Sequence, residues 1–270
     1  YTIFNNNLLF HACIPMTEKG EFQNVDFLGE KLNGKAYLDA VNEAVNKIWI
    51  NKDNIDKNMI DLMWYLWISP ESPFFGKSKM ATFESYFVKD KEMSKEQKNP
   101  YYTLTNKEEI CNKILKEFGL NENESHIVNG HVPVKAKEGE SPIRGNGKLL
   151  VIDGGFAKSY HKKTGNAGYV LTYNSNGLLL SQNKPFESVE DAVKEEKDII
   201  SEIIVKKKGI VRKTVSDTDI GSKLKDEIRD LEELLKYYET GELKWCLIGD
   251  RSKMSTLNLS PIRHFLLKNE

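Results

Sequence analysis

Apolar and polar positions fall into three regimes along the chain. Between about residues 35 and 120 the period is helical. "YLDAVNEAVNKIWINK" places Leu38, Val41, Ala44, Val45, Ile48 and Trp49 at helical spacing. "NMIDLMWYLWI" predicts a second helix, rich in large apolar groups and stopped by "SPESP". "KEEICNKILKEFGL" predicts a third, with Ile110, Ile114, Leu115 and Phe118 inward and Gly119 as its C-cap. The lysine-rich stretch from "FFGKSKM" to "KNPYY" lacks a period and reads as irregular surface. On either side of this helical block the pattern is that of strands. "NNLLFHACIP" is a short buried strand ending at His11 and stopped by Pro15. "SHIVNGHVPV" and "GNGKLLVIDGG" are two more, and "AGYVLTYNSNGLLLSQNKPF" is a hairpin with Asn176-Gly177 as the turn dipeptide. The tail returns to helix. Ser188 caps a predicted helix over 189–208, and a second places Leu224, Ile228, Leu231, Leu235 and Tyr238 on one face before Gly241 ends it.

This order predicts a layered α/β (α+β) body over 1–184, with a helical insertion at about 35–120, and a helical extension over 185–270. A chain of 270 residues, 39% hydrophobic and 29% charged, can bury a full core and is neither disordered nor membranous in composition. A formal charge of −1 gives no global field for nucleic acid or anionic lipid, and runs such as "DIISEIIV" are far too short to span a bilayer. Cys13, Cys111 and Cys246 form no Cys-x-x-Cys pair, which points to a reducing, cytoplasmic setting. The opening "YTIFNNNLLFHACIP", without Met, reads as a piece of a longer protein.

Two of the five histidines stand six positions or fewer apart, His126 and His131. Gly-His-x-Pro after an apolar strand lets an imidazole emerge at a rigid strand end, with Gly130 turning the chain. His11 repeats the arrangement: an apolar strand, a histidine, then small Ala12. Two strand-end imidazoles from distant parts of the chain suit zinc, manganese or iron, with carboxylates completing the shell. Strand-end histidines also occur as plain structural residues, and the pair by itself decides nothing.

The quoted blocks resemble a known family. "LLFHACIP" looks like the His-Gly/Ala-Gly/Cys-x-Pro block of calcineurin-like metallophosphoesterases, "IVNGHVPV" like their terminal Gly-His-Thr-Pro block, and "KLLVIDGGF" like the strand and Asp-x-Gly turn that follow. "HVPVKAKEGESPIRGNGKLLVIDGGFAKSYHKKTGNAGYVLTYNSNGL", "MWYLWISPESPFFGKSKMATFESYF" and "KNPYY" are similar to one branch, the class III fructose-1,6-bisphosphatases of Clostridium- and Bacillus-type bacteria. The resemblance covers essentially the whole chain. It implies the C-terminal half of a calcineurin-like β-sandwich with flanking helices. It also implies a two-metal, usually manganese-dependent phosphomonoesterase that removes the 1-phosphate of fructose 1,6-bisphosphate, a gluconeogenic reaction.

Carried over by the resemblance, His11 and His131 match the family's two late metal-ligand histidines, and His126 matches none. The Asp-x-His, Gly-Asp-x-x-Asp and Gly-Asn-His-Asp/Glu blocks do not occur. "GDRSK" at 249 has lysine for the second aspartate, and "GNGK" at 145 has glycine for histidine. In the family those blocks precede the first histidine block, so the N-terminal remainder of the same protein is the expected partner, and this stretch alone is expected to be inactive. A bisphosphate needs cations: Arg144, with Lys148, Lys135, Lys158 and Lys77, are the substrate-binding candidates. Tyr160, Tyr169 and Trp64-Tyr65-Trp67 read as core or interface, and helix 222–240 as intramolecular packing or the seam of a homo-oligomer. The alternatives are another calcineurin-like hydrolase, acting on nucleotides or proteins, and a non-catalytic binding or oligomerisation module.

Overall fold

The computed structural model describes residues 1–241 apart from 82–85, 89, 91, 93–94, 156–163, 165–167, 184–189, 191–192, 195–200 and 209–211. It divides into two units, the first made of Tyr1–Tyr173 and Leu178–Lys207, the second of Asn174–Gly177 and Lys208–Glu270.

The first unit is a mixed α/β structure. Strands β1 (Thr2–Phe4), β2 (Asn7–Leu9), β5 (Ile127–Asn129), β6 (Ile143–Arg144) and β7 (Leu149–Val151) form one sheet in the order β1-β2-β5-β7-β6. The three central strands β2, β5 and β7 are parallel and in register, Leu8 opposite Ile127 and Ile127 opposite Leu149. β1 and β6 close the edges antiparallel. Central parallel strands are covered on both faces, which is why they read as unbroken apolar runs, and Ile127, Val128, Leu149, Leu150 and Val151 are all buried. "SHIVNGHVPV" is strand over only three of its residues; the rest is loop because Gly130, His131 and Pro133 leave the ladder. A small ribbon, β3 (Val25–Phe27) with β4 (Glu30–Leu32), precedes the helices.

Helices α1 (Gly34–Ile50) and α2 (Lys57–Ile68), the short α3 (Tyr101–Leu104) and α4 (Glu108–Glu117) follow the predicted helical block. Their inward residues Leu38, Val41, Ala44, Leu66, Ile110, Ile114 and Leu115 join Leu8, Ile127 and Leu149 in one core. Asp56 caps α2, accepting the Met59 N–H at 2.8 Å. α4 ends as predicted: Gly119 takes φ 71, and Leu120 N donates back to the Leu115 carbonyl at 2.9 Å. Tyr101 and Tyr102 of "KNPYY" are buried in this core rather than on the surface. By contrast Ile60, Trp64 and Trp67 on α2 are exposed, as are Trp49 and Ile50 at the end of α1. The thiols of Cys13 and Cys111 are buried and pushed up to about 12 by desolvation, which leaves both unreactive. Cys246 lies outside the described residues.

A second sheet has the order β10-β9-β8, from β8 (Gly168–Asn174), β9 (Gly177–Asn183) and β10 (Ser201–Lys208). Two expectations change here. The turn falls on Ser175–Asn176, one position before Asn176-Gly177, with Gly177 opening β9 at φ 118. The predicted helix over 189–208 ends in a strand: "SEIIVKKK" pairs beside β9, and its β-branched run suits an extended chain better than a helix. Ser188 lies outside the described residues. In the second unit, Thr218 caps α5 (Asp219–Glu239), accepting the Gly221 N–H at 3.1 Å. Leu224, Ile228, Leu231 and Leu235 of its apolar face are exposed. No helix among the described residues is long and apolar enough to cross a membrane.

Candidate metal centre at the strand ends

Parallel strands in register deliver the residues that follow them to one edge. His11 follows β2, His131 follows β5 and Asp153 follows β7, so the carboxyl edge of the sheet gathers all three. Backbone bonds fix the pair. Phe10 N donates to the Val128 carbonyl at 3.2 Å, and Gly130 N to the His11 carbonyl at 2.9 Å. Buried Asn129 adds a side-chain tie, its amide donating to the Ala12 carbonyl and to the Tyr101 hydroxyl, each at 2.9 Å. His11 Nε2 and His131 Nδ1 then stand 3.0 Å apart, although 120 positions separate them in the chain.

Glycine was expected to make the turn, but the left-handed conformation falls on the histidine. His131 has φ 66, and Gly130 is not among the positive-φ residues. Val132 N donates to the Gly130 carbonyl at 2.8 Å, closing a three-residue γ-turn about His131. This form of γ-turn is rare and strained, the kind of conformation that persists where a side chain must be aimed. A Cβ on Gly130 would come only to 3.6 Å from Asp153 Cβ and 3.9 Å from the His11 carbonyl oxygen, which is ordinary contact.

The surroundings keep both rings neutral. Burial lowers the His131 pKa to about 4, with the His11 ring and the Lys77 ammonium adding to the shift. Burial lowers His11 as well, against the pull of the Asp153 carboxylate. Phe75 packs edge-on to His131 with centroids 5.7 Å apart, and Phe74 to His11 at 6.5 Å. In the pair one ring nitrogen donates and the other accepts. His131 Nε2 is buried with no hydrogen-bond partner among the described residues. Whichever tautomer is present, that nitrogen is an orphan, and an orphan neutral imidazole nitrogen suits a divalent metal. The donor set is only half a site. Two imidazoles bring no negative charge, and among the described residues no three or more His, Cys, Asp or Glu are grouped so as to hold a metal ion. His126 lies at the other end of β5, buried, its carbonyl accepting Leu8 N at 2.9 Å.

The expected cations distribute unevenly. Lys77 lies close enough to His131 to shift it, and its ammonium pairs with Glu96 at 3.1 Å. The Arg144 guanidinium is largely covered; it donates to the Tyr102 carbonyl at 3.2 Å and meets Glu140 at 3.8 Å. Lys135 pairs with Glu138 at 2.8 Å. Lys148 is buried, and its ammonium donates to the Glu122 carbonyl, which ties it to the fold. Lys158 and Tyr160 lie outside the described residues, and Tyr169 packs against both core clusters. Asn129 and Lys98 escape a reading by periodicity. Asn129 sits inside an apolar run, and Lys98 in a segment without period is placed only by a β-bridge to Lys77.

The fold and this edge define a mixed α/β protein with two strand-end histidines paired at the carboxyl edge of its sheet. The chain belongs to the Firmicute fructose-1,6-bisphosphatase family, whose profile matches residues 1–240. It is 50% identical over 243 residues to a protein of Clostridium tetani named fructose-1,6-bisphosphatase class 3, and 53% identical over 248 residues to one of that name from Alkaliphilus metalliredigens. These alignments cover 89% and 90% of this chain but 37% of each relative. The chain thus spans well under half the length of the relatives it matches. No solved structure matches it.

Proposed function

We propose that this chain is part of a fructose-1,6-bisphosphatase that hydrolyses the 1-phosphate of fructose 1,6-bisphosphate, giving fructose 6-phosphate and phosphate. The observation that carries the reading is the imidazole pair: two neutral rings 3.0 Å apart at the carboxyl edge, in a chain of this family. His11 and His131 hold divalent metal, manganese by our reading, as the late ligands of a calcineurin-like two-metal centre. When bound, the metal supplies Lewis acidity and a water activated at neutral pH. The rings contribute lone pairs that stay available because burial keeps protons off them. Phe74 and Phe75 wall the pair, and Lys77 and Arg144 stand by as cations that attract and orient an anionic sugar bisphosphate. The carboxylate ligands come from the part of the protein this chain does not span.

The test uses the full-length protein with manganese. His131→Ala is expected to abolish phosphate release from fructose 1,6-bisphosphate, and unchanged turnover would remove His131 from the site. The 270-residue chain alone is expected to show no turnover in the same assay.

A further inference from the structure

A cavity opens beside the residue that follows His131. Its volume is ≈ 300 Å³, and it is lined by Lys98, Thr103, Asn106, Glu140, Ser141 and Arg144, with Val132, the residue after His131, in its wall. Lys77 links the two places: its backbone bridges to Lys98, and its ammonium acts on His131.

The charges around this cavity are unbalanced. Lys77 and Lys135 have acids at 3.1 and 2.8 Å. Glu140 is the one acid in the lining. It already accepts the Lys135 backbone N–H at 3.1 Å and reaches Arg144 only at 3.8 Å. The Lys98 ammonium makes no ion pair or hydrogen bond among the described residues. Its pKa is lowered, first by desolvation; Glu140 pulls the other way, and Lys135, Lys77 and Arg144 add to the lowering. Neutral donors are at hand as well. Ser141 Oγ accepts Ile143 N at 3.1 Å, leaving its own hydrogen to donate, and Thr103 and Asn106 add a hydroxyl and an amide. An unpaired ammonium, a planar guanidinium and several neutral donors around a small open cavity suit a phosphate dianion.

We infer that this cavity is the subsite for the phosphate that is not hydrolysed, with Lys98 as its principal cation and Arg144 as its second. The inference rests on the bisphosphatase reading for the identity of the ligand. It makes Lys98 a specificity-determining residue: the histidine pair acts on one phosphate, while Lys98 and Arg144 hold the other and so register the sugar between them.

The experiment compares the full-length wild-type protein with Lys98→Gln and Lys98→Arg. Lys98 is exposed, so neither change empties the core. With manganese present, kcat/KM is measured for fructose 1,6-bisphosphate and for fructose 1-phosphate, which lacks the second phosphate. In Lys98→Gln the ratio of the two is expected to fall about tenfold or more, the scale of one charge-assisted hydrogen bond, and mainly through KM. Lys98→Arg should keep most of it. A ratio within about twofold of wild type in Lys98→Gln would overturn the assignment. In parallel, calorimetry in manganese-free buffer reads fructose 6-phosphate binding, which is expected in the wild type and at least about tenfold weaker in Lys98→Gln. Should the wild type hydrolyse neither ester, the bisphosphatase reading fails, and calorimetry alone decides the subsite: equal binding by wild type and variant, or none by either, overturns it.

Discussion

Asn129→Ala tests whether the two histidine-bearing strand ends are held by a side chain or only by the ladder. Asn129 is 4% exposed, and its amide donates to the Ala12 carbonyl and the Tyr101 hydroxyl, both in residues with no exposed surface. Alanine strands two buried partners at about 2 kcal/mol each, a cost that already includes the two lost hydrogen bonds. One term offsets this. Asn129 Oδ1 is itself buried without a partner, so alanine also relieves one unsatisfied oxygen. The net expected loss is about 2–3 kcal/mol, with Tyr101→Phe, which breaks a single bond, costing about 1 kcal/mol.

Urea unfolding of the chain, followed by far-ultraviolet circular dichroism, measures this directly. At an m-value of about 3 kcal/mol per molar urea the Asn129→Ala midpoint should fall by about 0.7–1 M. Asn129→Leu is the control, since it fills the space without the amide and should also lose stability. A Leu variant as stable as wild type, or an Ala midpoint within about 0.2 M of it, would show that the ladder alone fixes the edge. Because Ala12 follows His11 and Gly130-His131 follow Asn129, the same change should weaken manganese binding by the full-length protein. Unchanged affinity in a destabilised variant would separate fold from site.

Two more outcomes follow from the geometry. In the metal-free protein His131 has its pKa lowered to about 4 from 6.5, so the fold resists a proton that the unfolded chain accepts; the associated stability is complete above pH 6.5 and is lost as pH falls toward 4. Replacing it by Asn, which also tolerates the left-handed conformation, should remove that slope, and parallel wild-type and His131→Asn stability profiles from pH 4 to 7 would contradict the assignment. Gly145 has φ 54, and a Cβ there would lie 2.4 Å from Cys111 Sγ and 3.1 Å from the Thr105 carbonyl oxygen. Gly145→Ala should therefore cost about 3 kcal/mol or more by thermal or urea unfolding. Adding Cys111→Ala should restore part of it, and no recovery would mean that the clash with sulfur is not the cause.

What the pattern of residues discloses, and where it stops, follows from how far each feature depends on partners distant in the chain. Helices α1, α2 and α4 are legible because their period, caps and C-terminal glycine are local: Asp56, Gly119 and the inward row Ile110, Ile114, Leu115 act within a few turns. The run "DIISEIIVKKK" is not, because short apolar runs fit either period, and only the neighbouring β9 makes 201–208 a strand. The turn at Gly130-His131 shows the same limit at atomic scale. Glycine is the residue that local sterics favour for a positive φ, yet the register of β5 against β2 commits Gly130 N to the His11 carbonyl, and the strain passes to His131.

The histidines were paired in the sequence by the resemblance of their blocks to a known family, but their convergence comes from strand order. Had β5 not been placed beside β2, the same two residues would have had no reason to meet. Lys98 was out of reach of any periodic reading for a related reason. Its position comes from a single bridge to Lys77, and its lack of an acidic partner among the described residues is a property of the surrounding chain. The residues that define a binding edge are therefore assigned by sheet topology and by leftover charge. This explains why the two histidines we propose as metal ligands could be named from sequence while the cation we assign to the second phosphate could not.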